Sequence, residues 1–261
     1  MTQPDRVAGR GLKLRQSGTK RLALELGLEV FQPERIKDEA AQARIRQVGA
    51  DVMVVVAYGQ ILPASLLDSP RFRTLNVHAS LLPRHRGPAP VEWAILSGDS
   101  ETGVTIMQMD AGVDTGPILA QERVPIAPDE IAPRLEGRLA NVGARLLVRT
   151  LDDLTAGRLQ AIPQPAVGAS HAPRLRSEDG KLDPVTMSAE DIDRKVRALG
   201  ERVGTWMTLN GVELKVFRGH PDGELGDGIP VQTKNGVYVV DEVQPASGRR
   251  MSAAAWARGR R

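Results

Sequence analysis

The 261-residue chain contains no cysteine, which excludes disulfide bonds and thiolate metal sites. Its four histidines, His78, His85, His171 and His220, show none of the spacings typical of metal ligands, so we expect no bound metal. No apolar run reaches the roughly 20 residues that a membrane-spanning helix needs, and the first residues do not resemble a signal peptide. These absences predict a cytoplasmic protein without a membrane partner.

Aromatic residues are also scarce, at 3% of the chain. An interior must therefore consist mainly of Val, Ile, Leu and Ala, which suits a parallel sheet covered by helices. Hydrophobic residues at 41% and charged residues at 26% are close to the average of globular proteins. The length is sufficient for two domains.

Basic residues are concentrated at the two ends of the chain, although the net charge is only +3. The first cluster contains no acid and consists of Arg6, Arg10, Lys13, Arg15, Lys20 and Arg21. The last thirteen residues also lack an acid and contain Arg249, Arg250, Arg258, Arg260 and Arg261. Either cluster alone is equally well explained as solvated surface. Together they suggest a polyanionic partner that is held from two sides.

Hydrophobic periodicity predicts an α/β fold with an open, mostly parallel, doubly wound sheet in the first part of the chain. Strands are predicted at 51–59, 74–79 and 103–109, and helices at 90–97 and 129–154. Alternation of strands and helices is typical of a parallel sheet with helical crossovers. The first strand is a nearly continuous β-branched run, which predicts burial on both of its faces.

The pattern changes after Gly157, where prolines interrupt any periodicity and indicate a linker. A helix is predicted at 188–199, with Ser188 and Asp191 forming a capping box. Short alternating segments with Asn-Gly turns follow, and they predict a small antiparallel β-barrel of the OB type. The predicted organisation is an α/β domain, a linker and a β domain, at residues 1–157, 158–174 and 175–261.

Polar side chains occur at the predicted end of the strand at 74–79. Asn76 and His78 lie on one face, about 6 to 7 Å apart along the strand. Ligands bind at this end of the strands in open α/β sheets. For an isolated pair of this kind, a core histidine beside a turn residue is the more frequent explanation. If the strand at 103–109 is a parallel neighbour, however, it delivers the Asp114 carboxylate to the same edge.

The loop at 80–90, SLLPRHRGPAP, favours a functional site. Its prolines cannot continue a strand and Gly87 allows unusual backbone geometry, so a stiff loop should follow Asn76 and His78. The trio suits acyl or formyl transfer. The amide can stabilise a tetrahedral oxyanion, the imidazole can move protons near neutral pH, and Asp114 can orient the imidazole.

Two motifs, NVHASLLPRHRGPAP at 76–90 and DAGVDTGPIL at 110–119, closely resemble the 10-formyltetrahydrofolate-dependent formyltransferases. The segments TQPDRVAGRGLKL, VVVAYGQILP and EVQPASGRRMSAAAWARGRR look like those of the methionyl-tRNA formyltransferases within that family. The resemblance extends over almost the whole chain. It implies formyl transfer from 10-formyltetrahydrofolate to the amino group of initiator methionyl-tRNA, in translation initiation.

The resemblance also implies roles for individual residues. The positions that match the family's catalytic residues are Asn76, His78 and Asp114. Those that match the folate-binding positions are Ser80, Leu81, Leu82, Pro83, Gln60, Ile61, Leu62, Gly112 and Val113. Contacts with tRNA are expected from Arg6, Arg10, Lys13, Arg15, Arg249 and Arg250. We expect a monomer without a metal.

The sequence departs from the family pattern at its beginning, where a strand and a helix are expected ahead of TQPDR. In the family's strand order the first strand lies in the middle of the sheet. We therefore expect an apolar slot, strands without ladder partners and poor folding. Our hypothesis is that Met1 is a misassigned start. An in-frame stop codon immediately before Met1 in the genomic sequence would contradict it.

Other functions are compatible with parts of this pattern. A formyltransferase for a small amine or a nucleotide sugar, or a hydrolase that releases formate from formyl-folate, could use the same trio. Neither requires the basic amino-terminal segment or the carboxy-terminal β domain. A non-catalytic tRNA-binding remnant is the alternative from a different functional class.

Overall fold

A computed structural model of the chain describes residues 1–8, 13–221 and 227–259. The chain forms two compact units, each assembled from separate segments. The first unit contains residues 1–78, 106–119 and 149–163, and the second contains 79–105, 120–148 and 164–261. Within the described ranges, no helix has both the length and the apolar character needed to cross a bilayer.

The amino-terminal region begins with a hairpin and continues with two helices. These elements are β1 (Arg6–Ala8), β2 (Lys13–Arg15), α1 (Gly18–Glu25) and α2 (Glu39–Gln47). The Ser17 hydroxyl caps α1 by accepting a hydrogen bond from Lys20 N at 3.1 Å. Gly27 follows the helix with a φ of 67°, a conformation that glycine adopts without strain.

A four-stranded sheet with helices on the connecting segments forms the α/β part. Its elements are β3 (Met53–Val55), α3 (Ala64–Leu67), β4 (Thr74–His78), α4 (Pro90–Leu96), β5 (Glu101–Gln108), β6 (Ile118–Pro125) and α5 (Ala132–Thr155). The strand order is β3-β4-β5-β6. β3 and β4 are parallel, with Val55 opposite Asn76. The predicted α/β class is confirmed.

The direction of β5 differs from the prediction. Met109 N donates to Thr74 O at 2.8 Å, which joins the residue after the end of β5 to the first residue of β4. The two strands therefore run antiparallel. Gln108 N donates to Pro117 O at 2.9 Å and closes a β5–β6 hairpin. The sheet is thus mixed, because hydrophobic periodicity reports burial and carries no information on strand direction.

β3 is an edge strand, and its residues are half-buried instead of being buried on both faces as predicted. An apolar groove of about 570 Å³ lies along it. Residues that line this groove include Phe31, Ile45, Val48, Val54, Val56 and Tyr58. Val48 at the end of α2 is 73% exposed and Val56 directly after β3 is 60% exposed, so apolar side chains next to both elements face solvent here.

The carboxy-terminal region is an antiparallel sheet packed on one helix. After a 3₁₀ turn at Ser177–Gly180, the elements are α6 (Ala189–Leu199), β7 (Thr205–Leu209), β8 (Val212–Pro221), β9 (Ile229–Gln232), β10 (Val237–Pro245), β11 (Met251–Ser252) and α7 (Ala253–Arg258). The order is β11-β10-β8-β7, and β9 pairs with β10. The antiparallel sheet is confirmed, while its closure into a barrel stays a prediction.

Local signals in this region agree with the structure. Ser188 Oγ accepts from Asp191 N at 3.1 Å, and the Asp191 carboxylate accepts from Ser188 N at 3.3 Å, so the predicted capping box is formed. Asn210 and Gly211 have φ values of 49° and 75° in the β7–β8 turn. Both values are those of a tight hairpin, as the Asn-Gly dipeptide predicts.

An ion pair in which only the carboxylate is buried joins α4 to the segment after α6. Glu92 is 5% exposed, and its Oε1 atom accepts from Arg202 Nε at 2.7 Å. The same guanidinium donates from Nη2 to Glu136 of α5 at 2.9 Å, but Glu136 is largely in solvent. Removing the partner of a buried carboxylate is costly, whereas an ion pair between two exposed groups contributes little.

We expect Arg202→Met to lower the free energy of unfolding by about 2 to 3 kcal/mol, because it leaves the Glu92 carboxylate buried without its guanidinium. Glu136→Gln serves as the matched control and should cost less than about 1 kcal/mol. Urea unfolding of the full chain measures both. Equal losses in the two variants would show that burial of Glu92 is not what makes this ion pair important.

Candidate active site

The side chains of Asn76, His78 and Asp114 meet in the first unit. Asn76 Nδ2 donates to Asp114 Oδ1 at 3.2 Å. His78 Nδ1 lies 3.6 Å from Asp114 Oδ2, at the outer limit of an ion pair. The side chains of His78 and Asp114 are only 6% and 14% exposed. The three residues predicted to act together are therefore in contact, through one carboxylate.

Strand periodicity places the first two members of this trio. β4 includes both Asn76 and His78, and alternation puts their side chains on one face. Asp114 arrives by a route that differs from the prediction. Since β5 is antiparallel to β4, Asp114 does not come from the carboxyl end of a parallel neighbour. The loop between β5 and β6 folds back and carries the carboxylate to Asn76 and His78.

This loop is fixed by its own hydrogen bonds. Asp110 Oδ1 accepts from Gly112 N at 3.0 Å and from Thr115 Oγ1 at 2.7 Å. A side chain at Gly112 would collide with Thr115, and one at Gly116 would collide with the Gln108 carbonyl. Asp114 has a φ of 52°, a strained value for a residue other than glycine. The loop thus holds a strained residue where its carboxylate meets the amide and the imidazole.

The three side chains together can stabilise an oxyanion and transfer a proton. The Asn76 amide nitrogen carries two hydrogens, and the bond to Asp114 uses one of them, so the second can stabilise an oxyanion. The carboxylate beside Nδ1 of His78 favours the tautomer with a proton on that nitrogen. A pair of this kind can move one proton while charge develops on a neighbouring oxygen.

The residues Ser80 to Pro83, which are predicted to contact the folate, lie in the second unit at the start of a loop at 80–89, which we call the donor loop. Thr105 of β5 secures its first part: its hydroxyl donates to Ser80 O at 2.6 Å and accepts from Leu82 N at 3.1 Å. Gln121 of β6 donates to Leu82 O at 2.9 Å. Leu82 precedes a cis Pro83. Ser80 and Thr105 are fully buried, so these polar groups are part of the interior.

The second half of the donor loop is tied to the segment 164–172, which lies in the predicted linker. Arg86 N donates to Ser170 O at 2.9 Å, and Ala172 N donates to Arg86 O at 2.6 Å. A Cβ atom at Gly87 would lie 2.6 Å from the Ala172 carbonyl oxygen. Gly87 is therefore required by close backbone approach as well as by its φ of 122°. This part of the linker is held against the loop.

The other residues predicted to bind folate lie in the first unit. Ile61 and Val113 are 77% and 66% exposed, so both side chains are accessible to a ligand. Leu62 is buried in a cluster with Ile36 and is not accessible in this state. The Gln60 amide accepts from Ile36 N at 2.9 Å, so its visible role is to hold that segment.

Most of the predicted tRNA contacts at the amino terminus can be located. β1 and β2 pair with Arg6 opposite Arg15, and with Ala8 opposite Lys13. Arg6 and Arg15 are exposed, and Arg6 makes a 3.4 Å hydrogen bond to Gln3. Arg10 lies outside the described residues. The hairpin therefore presents two arginines directly across from each other, an arrangement that is unfavourable unless an anion lies nearby.

The two carboxy-terminal arginines that are predicted to contact tRNA, Arg249 and Arg250, have different environments. Arg250 contacts Glu201 at 2.6 Å and Glu242 at 2.7 Å, and its guanidinium stacks 4.2 Å from the centre of the Phe217 ring. The hydrogen bond with Glu242 is the main reason that the pKa of Arg250 is raised. Arg249 is exposed. Arg250 thus has an internal structural role that its charge alone did not predict.

Several residues that support the site were missed in the sequence. Thr105, Gln121, Ser170 and Asp99 all bond to the donor loop. A threonine within the apolar run VTIM of β5 is a signal that could have been noticed, since a buried hydroxyl needs a partner. Asp99 and Ser170 carry no comparable local signal, because their partners are distant in the sequence.

Comparison with known proteins shows the family of the chain. The profile of the Formyl transferase family matches residues 1–151. A second profile, Formyl transferase, C-terminal domain, matches residues 174–261. The two matches together cover more than half of the chain.

Curated relatives include methionyl-tRNA formyltransferases of three bacteria. The protein of Halorhodospira halophila is 46% identical over 272 aligned positions, which cover all of this chain and 87% of the relative. Those of Dechloromonas aromatica and Neisseria gonorrhoeae are 45% and 43% identical and cover 96% and 100% of this chain. The chain spans 84% and 88% of these two relatives.

Solved structures share the fold at lower identity. HypX from Aquifex aeolicus in complex with tetrahydrofolic acid has a TM-score of 0.69 at 18% identity, over 91% of this chain. The chain spans only 44% of HypX. The sugar 3N-formyl transferase WlaRD has a TM-score of 0.66 at 17% identity, over 88% of this chain and 82% of its own. With the relatives and the family profiles, the conclusion is that this chain belongs to the formyl transferase family, among the methionyl-tRNA formyltransferases.

Proposed function

We propose that the chain transfers the formyl group of 10-formyltetrahydrofolate to the amino group of methionyl initiator tRNA. The single observation that carries the catalytic part is the contact of Asn76 and His78 with the Asp114 carboxylate. The relatives named methionyl-tRNA formyltransferase support the choice of acceptor. One structural neighbour in complex with tetrahydrofolic acid, and another solved in the presence of 5-N-formyl-THF, support a folate-derived donor.

The reaction begins when the methionyl nitrogen attacks the formyl carbon. A C–N bond forms, and the carbonyl electron pair moves to oxygen and gives a tetrahedral oxyanion. Asn76 is assigned to this oxyanion through the N–H that does not bond to Asp114. The donor N–C bond then breaks, and the electron pair returns from oxygen to restore the carbonyl group.

The attacking nitrogen must lose a proton, and the leaving folate nitrogen must gain one. We assign both transfers to His78, because an imidazole titrates near neutral pH. With Nδ1 directed at Asp114, Nε2 is the atom that accepts and returns the proton. Asp114 holds the ring in orientation and offsets the positive charge of the imidazolium. No covalent intermediate with the enzyme is needed.

The electrostatics of the β1–β2 hairpin support a polyanionic acceptor. Like charges directly opposite each other in an antiparallel pair are destabilising, and Arg6 faces Arg15. Phosphate groups beside the hairpin would relieve this repulsion. An ion pair of Lys20 with Asp5 at 2.7 Å links the start of the hairpin to α1. The position of the two arginines is therefore fixed relative to this helix. An acceptor without phosphates would gain nothing from this arrangement.

We expect His78→Ala to lower the rate of formyl transfer roughly 10²- to 10⁴-fold, because it removes the group that moves the proton. Asn76→Ala should lower the rate roughly 10²- to 10³-fold, because it removes the hydrogen-bond donor to the oxyanion. Single-turnover transfer of labelled formyl groups to charged initiator tRNA measures both. Binding of the tRNA should not change.

His220→Ala is the matched control for this experiment, because Nδ1 of His220 also faces an aspartate, Asp241, at 3.1 Å. Its transfer rate should equal that of the unmodified chain. If the unmodified chain and His78→Ala bind tRNA equally and neither transfers a formyl group, the tRNA-binding remnant is the correct function. Transfer by His78→Ala within threefold of the unmodified rate would remove His78 from the mechanism.

Replacing Arg6 and Arg15 together by glutamine should weaken binding of initiator tRNA. The slope of log affinity against log salt should become less steep by roughly 0.7 to 0.9 for each phosphate that the hairpin no longer neutralises. The free energy of unfolding without tRNA should stay the same or increase, because the repulsion across the hairpin is removed. Filter binding at several salt concentrations and urea unfolding measure the two effects.

The control is Arg158→Gln, which removes an arginine that is 62% exposed and paired with Asp153. This variant should leave the salt dependence unchanged. A slope that is identical for all three proteins would place the hairpin outside the tRNA interface.

A further inference from the structure

The middle of the donor loop is strained. His85 has a φ of 56°, a left-handed value that residues other than glycine adopt at a cost. Such conformations persist where the surrounding structure fixes them, and they occur most often at functional sites. His85 is 3% exposed, so its ring is part of the interior of the second unit. The loop therefore needs fixed contacts at this position to keep its shape.

Two residues from outside the loop supply such contacts. Asp99 Oδ2 lies 2.7 Å from His85 Nε2, and Ser170 Oγ accepts from His85 N at 2.9 Å. The other oxygen of Asp99 pairs with Arg84, the neighbouring loop residue. One carboxylate thus holds two consecutive side chains of the loop. Ser170 holds the backbone of the loop at the amide nitrogen of His85.

Asp99 is itself rigidly placed. It follows α4, and its backbone N donates to Ala94 O at 3.1 Å. Its side chain is 15% exposed. Burial acts to raise the pKa of Asp99, but the hydrogen bonds from Arg84 and His85 outweigh burial, and the pKa is lowered. The group is therefore a carboxylate across the physiological pH range, with both oxygens occupied by the loop.

We propose that Asp99 is a positioning residue for the formyl donor, which acts by fixing the shape of the donor loop through His85 and Arg84. The proposal rests on the proposed function, in which the first part of the donor loop, Ser80 to Pro83, contacts the folate. Asp99 touches neither reacting atoms nor donor in this scheme. Its removal should reduce the fraction of chains whose loop is ready to bind the donor, and leave the chemical step intact once the donor is bound.

We expect Asp99→Ala to raise the KM for 10-formyltetrahydrofolate roughly three- to tenfold, which is the effect that one or two hydrogen bonds represent. kcat and the KM for initiator tRNA should each change less than twofold. Asp99→Asn keeps an acceptor for His85 and should recover part of the effect. Steady-state kinetics with each substrate varied in turn give these values.

The matched control is Asp193→Ala. The side chain of Asp193 is 14% exposed and pairs with Arg197 at 2.6 Å, so it resembles Asp99 in burial and in its partner. This variant should be less stable without a change in the KM for the donor. Thermal unfolding shows whether each variant is folded. If Asp99→Ala does not fold, Ser170→Ala loosens the same loop from its other side and should shift the donor KM in the same direction.

Binding of folinic acid to the full chain without tRNA separates the two proposals. Weaker binding by Asp99→Ala than by Asp193→Ala supports the positioning role, even if the unmodified chain fails to formylate tRNA and the proposed function is wrong. Equal affinities and an unchanged donor KM in a folded Asp99→Ala would overturn the positioning role. A parallel rise of both KM values with a fall in kcat would also overturn it, because general loss of structure would then explain the effect.

Discussion

The candidate site depends on the position of one carboxylate. Asp114 presents one oxygen to Asn76 and the other to His78, so the amide and the imidazole are oriented by the same group. The loop that carries Asp114 accepts a positive φ at this residue and is closed by hydrogen bonds to Asp110. If that loop changed shape, Asn76 and His78 would both lose the contact with Asp114 that orients them. The strained backbone at Asp114 is the energetic cost of holding the amide and the imidazole in one fixed arrangement.

The same principle applies to the donor loop in the second unit. Polar side chains that a hydrophobic interior would normally exclude are buried there, and each has a partner in the loop. The single hydroxyl of Thr105 contacts both Ser80 and Leu82, and the carboxylate of Asp99 contacts two further loop residues. Buried polar groups are expensive unless they are satisfied, so a network of this kind holds one conformation and disfavours others. A fixed loop loses less entropy when a ligand binds.

Two contrasting environments of arginine occur among the residues that the structure describes. Arg202 and Arg250 are each shared between two carboxylates and support the packing of the second unit. Arg6 and Arg15 instead face each other on the hairpin. Net charge and clustering in the sequence do not separate these environments, because an arginine in an ion-pair network contributes to composition as much as an exposed one. The environment of each guanidinium decides which of them can attract an anion.

The sequence determined those features that depend on neighbours within a few residues. Strand alternation placed Asn76 and His78 on one face, Ser188 and Asp191 specified the start of α6, and Asn-Gly specified a hairpin turn. The motifs also indicated the chemistry. Only the tertiary structure decided that β5 runs antiparallel, that Asp114 arrives on a returning loop, and that Asp99 and Ser170 hold His85 from 14 and 85 residues away. The reason is physical: side-chain periodicity is a local property of the backbone, whereas strand direction and distant polar contacts follow from the path of the whole chain.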